Sequence, residues 1–279
     1  MKQWLKSLAD LLLPRVCAVC GRKLNFAEEN ICLFCLAELP LTYFWERRHN
    51  KMADQFNALI ERGLDGCLTG GRLERYAYAV ALFFYDGKGD YRRITQQLKY
   101  HADLGLGRNF GRMLAQRIDD AKHFEDVDVV VPVPLHWTRR WKRGYNQAEI
   151  IAGAIAEHLG VDLRTDILKR SRRTRTQTKV DPAMKAENVS GAFAVNESRL
   201  FGRNRISDKH PGFSQELVEE PKLMEEPKLE GEASYRHILI VDDVFTSGST
   251  LHNCFLALRS VFPPSVRISV ATLAFVGGA

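Results

Sequence analysis

The apolar positions of this chain fall into two patterns. The stretches Tyr76 to Tyr85, Val127 to Val133, His237 to Val241 and Val266 to Phe275 are short runs rich in β-branched and aromatic residues, with little polar alternation. Such runs predict strands buried on both faces, as in a parallel sheet covered by helices. Between them, apolar residues recur at helical spacing. This predicts helices over Tyr91 to Tyr100, where Ile94 and Leu98 share a face, over Leu104 to Ile118, from Gly144-Tyr145-Asn146-Gln147 to His158, and over Leu251 to Ser260. Leu163 to Leu168 and Gly191 to Val195 predict two further strands. Asp181 as N-cap, with Pro182 at the first helical position, predicts a short helix reaching about Asn188. Helices alternating with apolar strands indicate an α/β fold: a parallel sheet flanked by helices.

The amino-terminal part follows other patterns. Trp4, Leu5, Leu8, Leu11 and Leu12 predict a short amphipathic helix ended by Pro14. Pro40 to Arg75 reads as a linker or a loosely helical connection. Asn196 to Ser234 is polar, and Glu219-Glu220-Pro221-Lys222-Leu223 recurs as Glu225-Glu226-Pro227-Lys228-Leu229. That low complexity predicts a disordered surface insertion. The organisation expected is therefore an amphipathic helix and cysteine module over 1–45, a linker over 46–75, and an α/β domain over 76–279 that carries the insertion 196–234.

The cysteines give the first candidate chemistry. Cys17 and Cys20, then Cys32 and Cys35, form two C-x-x-C pairs separated by a short polar segment. Each pair offers two thiolates to one ion, so the four predict a tetrahedral structural zinc site. Arg15, Arg22 and Lys23 favour the thiolate form. Disulfides are the alternative, and a thioredoxin-like redox site normally needs one pair only. No apolar run is long enough to span a bilayer, and no cleavable leader pattern follows the first leucines, so a cytoplasmic location with reduced thiols is expected. Cys67 and Cys254 read as small buried apolar residues.

The second chemistry lies where the strand from His237 to Val241 meets Asp242 and Asp243. In a parallel sheet, ligands sit beyond the carboxyl ends of the strands. Thr246, Ser247, Gly248, Ser249 and Thr250 follow, opening a helix. Amides of such a turn and the helix N-terminus can cradle a phosphate, helped by four hydroxyls. Carboxylates only accept hydrogen bonds, so the acidic pair suits sugar hydroxyls. Together they fit a ribose 5-phosphate. A P-loop strand is excluded because no G-x-x-x-x-G-K-[ST] occurs, and a receiver domain because its acidic strand opens the domain. A plain buried strand, turn and capped helix is the remaining alternative.

The net charge of +6 makes anionic ligands reasonable. Arg139, Arg140, Lys142 and Arg143 form a basic loop beyond the strand that ends in Pro132-Val133-Pro134-Leu135, just before a helix opens. This is a second candidate anion site, fitting pyrophosphate, with a solvated basic face as the alternative. Lys99, near a helix C-terminus, is a further candidate anion ligand or a complement to the helix dipole. Lys169 to Lys179 is again basic and reads as a hood over the ligand, or as part of a nucleic-acid groove.

The string from His237 to Thr250 resembles the loop of type I phosphoribosyltransferases that binds 5-phosphoribosyl 1-pyrophosphate (PRPP). The series Pro132-Val133-Pro134-Leu135, Arg143-Gly144-Tyr145-Asn146-Gln147, Thr174-x-x-Gln177 and Asn188-x-x-Gly191-Ala192-Phe193, followed by that loop, resembles the ComF family. Those are competence-associated, phosphoribosyltransferase-like proteins, many with a four-cysteine zinc module. The resemblance implies that Asp242 and Asp243 hold the ribose 2- and 3-hydroxyls, and that Thr246 to Thr250 hold the 5-phosphate. It implies Mg²⁺ bound with PRPP. It also implies an association with DNA uptake, in which single-stranded DNA and a DNA-uptake ATPase are candidate partners. Two expectations follow: a Mg²⁺-dependent phosphoribosyltransferase, or a non-enzymatic DNA-uptake factor that keeps the fold as a scaffold.

Overall fold

In the computed structural model, residues 15–64, 74–85, 89–100, 103–170, 192–196, 199 and 235–277 are described. The expected amphipathic helix at Trp4 to Leu12, the hood beyond Arg170, the helix after Asp181, the insertion 196–234 (but for Asn196 and Arg199) and Cys67 lie outside them. The strands are β1 (Ala79–Tyr85), β2 (Val129–Pro132), β3 (Asp162–Leu163), β4 (Leu168–Arg170), β5 (Phe193–Val195), β6 (His237–Phe245) and β7 (Arg267–Val276). Five form one sheet in the order β1-β7-β6-β2-β3, with every neighbouring pair parallel. β4 and β5 pair antiparallel in a separate ribbon.

The helices are α1 (Leu33–Ala37), α2 (Lys51–Leu64), α3 (Arg92–Tyr100), α4 (Leu104–Asp119), α5 (Trp137–Arg143), α6 (Gln147–Leu159) and α7 (Ser249–Arg259). They cover both faces of the sheet, as the continuous apolar runs require. Leu239 and Val241 of β6 pack into one core with Leu98 of α3, Leu106 and Phe110 of α4 and Ile151 of α6. Ile238 and Ile240 pack into the other, with Met52 and Phe56 of α2 and Cys254 and Phe255 of α7. The period of two along β6 thus decides which face each side chain serves. α4 and α6 approach closely because Gly111 has no side chain: a Cβ there would stand 2.8 Å from Ala154 Cβ.

Two expectations are corrected and one is sharpened. Within the span 46–75, expected as a linker or a loosely helical connection, lies the 14-residue helix α2. Met52, Phe56 and Ile60 are buried on one face of it, and the Asn57 side chain bonds both main-chain groups of Ala77, at 2.8 and 2.9 Å. The expected basic loop at Arg139–Arg143 is a helical segment, α5, capped by the His136 side chain. The expected strand Leu163 to Leu168 divides between β3, in the main sheet, and β4, in the ribbon.

His237, at the amino-terminal end of β6, is fully buried. Its Nδ1 lies 2.6 Å from Asp126 and its Nε2 lies 2.8 Å from Ser269 Oγ. Burial pushes its pKa down to about 4, outweighing Asp126, so the ring is neutral at physiological pH. This Ser-His-Asp line is no nucleophilic site, because Ser269 is 0% exposed and the line sits at the edge of the sheet opposite the acidic pair.

Candidate functional site

The register of the sheet sets two candidate elements side by side. Pro132, the last residue of β2, pairs with Val241 of β6, and Asp242 follows at once. The chain that leaves β2 therefore enters α5 beside the acidic pair. β6 itself continues past the two carboxylates to Phe245, which pairs with Phe275. Phe245 is buried, and this holds the ladder together beyond the polar positions.

Neighbouring strand residues face opposite sides, and the two acids meet different partners. Asp243 Oδ2 pairs with Lys99 Nζ at 2.7 Å, on the face that carries α3. Asp242 faces the side of Cys254 and Arg170, whose charges it perturbs. It also accepts the Asp243 N–H at 2.8 Å. Burial, and then the Asp243 charge beside it, push the Asp242 pKa up to about 7, against the pull of Lys99. Lys99 is held above its ordinary value: burial opposes the charge, and the Asp243 carboxylate outweighs burial. Burial lowers Arg170, helped by Arg139. Arg143 lies over the Tyr100 ring at 5.6 Å, and its charge also bears on Lys99. The predicted Asp242, Asp243, Lys99, Arg139 and Arg143 thus gather at one edge, two carboxylates ringed by cations.

The phosphate-cradle candidates follow directly. Thr246 and Ser247 are exposed, Ser249 and Thr250 half-buried, and Ser247 Oγ lies 3.0 Å from Ser249 Oγ. Gly248 caps α7 at φ 75°, a left-handed conformation that side chains resist. A Cβ there would come within 2.6 Å of the Phe245 ring and 2.8 Å of Leu59 on α2. Strain and overpacking each cost about 1–3 kcal/mol. Gly248→Ala should accordingly destabilise the fold by about 2–6 kcal/mol in denaturant titration and displace the turn from any anion.

Several residues at this edge were not assigned from sequence. Leu98 O, on the last turn of α3, accepts from Gln147 Nε2 at 3.1 Å and from the Tyr145 hydroxyl. Asn146 Nδ2 donates to Val133 O at 3.0 Å. The Arg143–Gln147 string thus clamps α3 against the end of β2. Arg170 lay inside a basic stretch, and nothing local distinguished it from its neighbours. Trp137 and Trp141, one helical turn apart on α5, are 71% and 86% exposed. Their four-residue spacing was readable, but their exposure was not.

The cysteine pairs converge as expected. The sulfurs of Cys17, Cys20, Cys32 and Cys35 all lie within 4.8 Å of one another, and Cys20 and Cys32 are 3.8 Å apart. Four sulfurs at about 2.3 Å around one ion stand about 3.8 Å apart, so the set fits a tetrahedral metal such as zinc. The amides of Val19 and Cys32 donate to Cys17 Sγ and that of Cys35 to Cys32 Sγ, each at 3.4 Å. Arg22 Nη2 donates to Cys32 Sγ at 3.1 Å. Burial raises the Cys32 pKa, but the Cys35 amide and Arg22 outweigh it and favour the thiolate a metal needs. Four sulfur ligands would close the coordination sphere of such an ion and leave no open position.

The chain is 25% identical over 178 residues to competence protein F of Haemophilus influenzae, covering 63% of this chain and 64% of that protein. It is 26% identical over 161 residues to the DNA utilization protein YhgH of Salmonella typhi, covering 57% and 56%. The chain thus spans less than two thirds of the length of these relatives. Among solved structures, the glutamine PRPP amidotransferase of B. subtilis, complexed with ADP and GMP, is 18% identical with a TM-score of 0.30, covering 59% of this chain and 25% of that one. The profile of the phosphoribosyl transferase domain matches residues 97–276, which includes Lys99, the Arg143–Gln147 clamp, the acidic pair and the glycine turn. That match takes in well over half of the chain, which therefore belongs to the phosphoribosyl transferase domain family.

Proposed function

We propose that the carboxyl edge of the sheet binds PRPP with Mg²⁺, to transfer or hold its phosphoribosyl group. The observation that carries this reading is the run Asp242 to Thr250: two carboxylates, then a glycine turn opening a helix, with Lys99, Arg139 and Arg143 alongside. Asp242 and Asp243 accept from the ribose hydroxyls, and residues Thr246 to Thr250 hold the 5-phosphate. Arg139, Arg143 and Lys99 face the pyrophosphate. Loss of pyrophosphate builds positive charge on the sugar and negative charge on the leaving group, and carboxylates and cations so placed stabilise both. Bound Mg²⁺ would neutralise pyrophosphate and ribose oxygens together. Thermal melting tests the reading: PRPP with Mg²⁺ should raise Tm more than ribose 5-phosphate or pyrophosphate alone. An equal or absent shift for all three would remove it.

A metal in the cysteine cluster is zinc in this reading, and the location is cytoplasmic. Among the described residues, no helix is long and apolar enough to cross a membrane. Exposed Phe26, Leu33 and Phe34 give the metal module an apolar surface suited to a protein partner, such as an ATPase of DNA uptake.

One observation favours a second reading. Trp137 and Trp141 lie one turn apart on α5 with Arg140 beside them and Arg139 and Arg143 elsewhere on the same helix, so that aromatic rings that can stack bases stand near cations that can neutralise a backbone. The relatives' names, competence protein F and DNA utilization protein, point towards DNA. Trp137→Ala with Trp141→Ala should weaken binding to a thymidine oligomer by about tenfold or more in fluorescence titration, with PRPP binding unchanged. Unaltered oligomer binding would count against it.

A further inference from the structure

One helix joins the metal module to the acidic edge. At the start of α3, the Tyr91 hydroxyl donates to Cys35 O at 2.9 Å. Arg93 Nη1 donates to Val19 O at 2.7 Å, and one turn later Gln97 Nε2 donates to Ala18 O at 3.3 Å. Ala18 and Val19 lie between Cys17 and Cys20, in the turn whose shape a bound metal fixes. Asn30 of the module reaches Asp103, the N-cap of α4, at 3.4 Å. At the other end of α3, Lys99 meets Asp243.

Near the C-terminal end of α3, Tyr145 and Gln147 bond Leu98 O, and Ile94 and Leu98 seat one face of the helix in the core. The module bonds the helix near its other end, at Arg93, and again at Gln97. Arg93 and Lys99 are six residues apart, about 9 Å along the axis, so a tilt at one end moves the other. A displaced ammonium loses the short contact that makes it a strong partner.

We infer that Arg93 and Gln97 are positioning residues: through them the metal-bound cysteine turn aims Lys99 at Asp243, and metal occupancy sets the affinity of the acidic edge for a phosphorylated sugar. This inference rests on the PRPP reading above. Zinc here is more than a staple for its own module. It is the far anchor of a strut that ends in the binding site.

The test uses the full chain, PRPP with Mg²⁺ in calorimetry, and zinc content by elemental analysis. Arg93→Ala with Gln97→Ala should bind PRPP about tenfold more weakly, the loss of roughly one charge-assisted contact, with zinc content unchanged. Arg93→Lys keeps a donor for Val19 O and should restore most of the affinity. A merely structural role would not move the pH profile. Lys99 pulls the Asp242 pKa down, so a misplaced Lys99 should shift the lower pH limb of binding upward, as should Lys99→Met. Should the double variant melt early, Gln97→Ala alone carries the comparison. Unchanged affinity, or weaker binding with an unmoved pH limb, overturns the inference. Should the wild-type chain give no heat with PRPP, the functional reading falls instead. The coupling is then decided by hydrogen exchange: metal removal should speed exchange at Leu98 to Tyr100, and unchanged protection there would overturn it.

Discussion

Replacing Asp242 and Asp243 together by asparagine should weaken PRPP binding by about a hundredfold or more, while the fold survives. In the proposed complex each carboxylate accepts a hydrogen bond from a sugar hydroxyl, and bonds to charged groups are worth about 1.5–3 kcal/mol each. Two of them give about 3–6 kcal/mol, or two to four powers of ten. Asparagine nearly preserves shape, so the β6–β7 ladder stays intact. The pH dependence has a definite sign. Asp242 titrates near 7 in the fold, against an ordinary value of 3.8, because burial and Asp243 disfavour its charge. Its protonated form contributes stability that is fully present below about pH 4 and is lost as pH rises through about 7. Ligand binding runs the other way, since the ionised carboxylate is the better acceptor. Affinity should fall by up to about tenfold per unit below pH 7, with protons released on binding. The double asparagine variant should lose this slope and, above pH 7, should gain stability at Asp242. Leaving Lys99 without its carboxylate at Asp243 offsets part of that gain. Calorimetry at several pH values, alongside denaturant titration, separates the two effects.

Cys32→Ser should release the metal and open the module over 15–39. Cys32 is the hub of the cluster: it is fully buried, lies 3.8 Å from Cys20, accepts from the Cys35 amide and from Arg22, and donates its own amide to Cys17. Binding of structural zinc supplies on the order of 10 kcal/mol in small modules, so loss of one ligand removes most of what holds these turns. The core of Phe56, Ile240 and Phe255 holds no module residue, so the α/β domain should persist, although Cys32 packs into the first core with Phe110, Ile151, Leu239 and Leu273. Zinc content should fall from one equivalent to near zero, and amides of residues 17–35 should lose exchange protection. Cys254→Ala, in the other core, should keep its zinc.

These effects sort by how local their causes are. The acidic pair and the glycine turn were legible because strand, charge and turn lie in one unbroken stretch, His237 to Thr250. The zinc cluster was legible because two thiolates per turn is a short-range requirement. The helix α2 was read only as one of two alternatives, a linker or a loosely helical connection, although Met52, Phe56 and Ile60 stand at helical spacing, since the polar residues and nearby glycines suggested a connection. α5 reads as a loop by charge alone; its helical form is bounded by the His136 cap at one end and by the left-handed Gly144 at the other. The strut was not legible, because Arg93 and Gln97 reach carbonyls 74 and 79 residues away in sequence. Arg170 likewise gains its meaning only from the ribbon that brings it beside Asp242. Local chemistry can be read from a string, whereas a contact between distant segments needs the register of the sheet.

The central claim is that one rim of this sheet grips a sugar by its acids and that sugar's phosphate by the glycine turn. Calorimetric titration of the full chain with PRPP and Mg²⁺ at pH 7.5 tests it most directly. The account predicts a saturable heat at one site per chain, abolished in the Asp242→Asn, Asp243→Asn variant. No heat with the wild type, or the same heat with the variant, would contradict it.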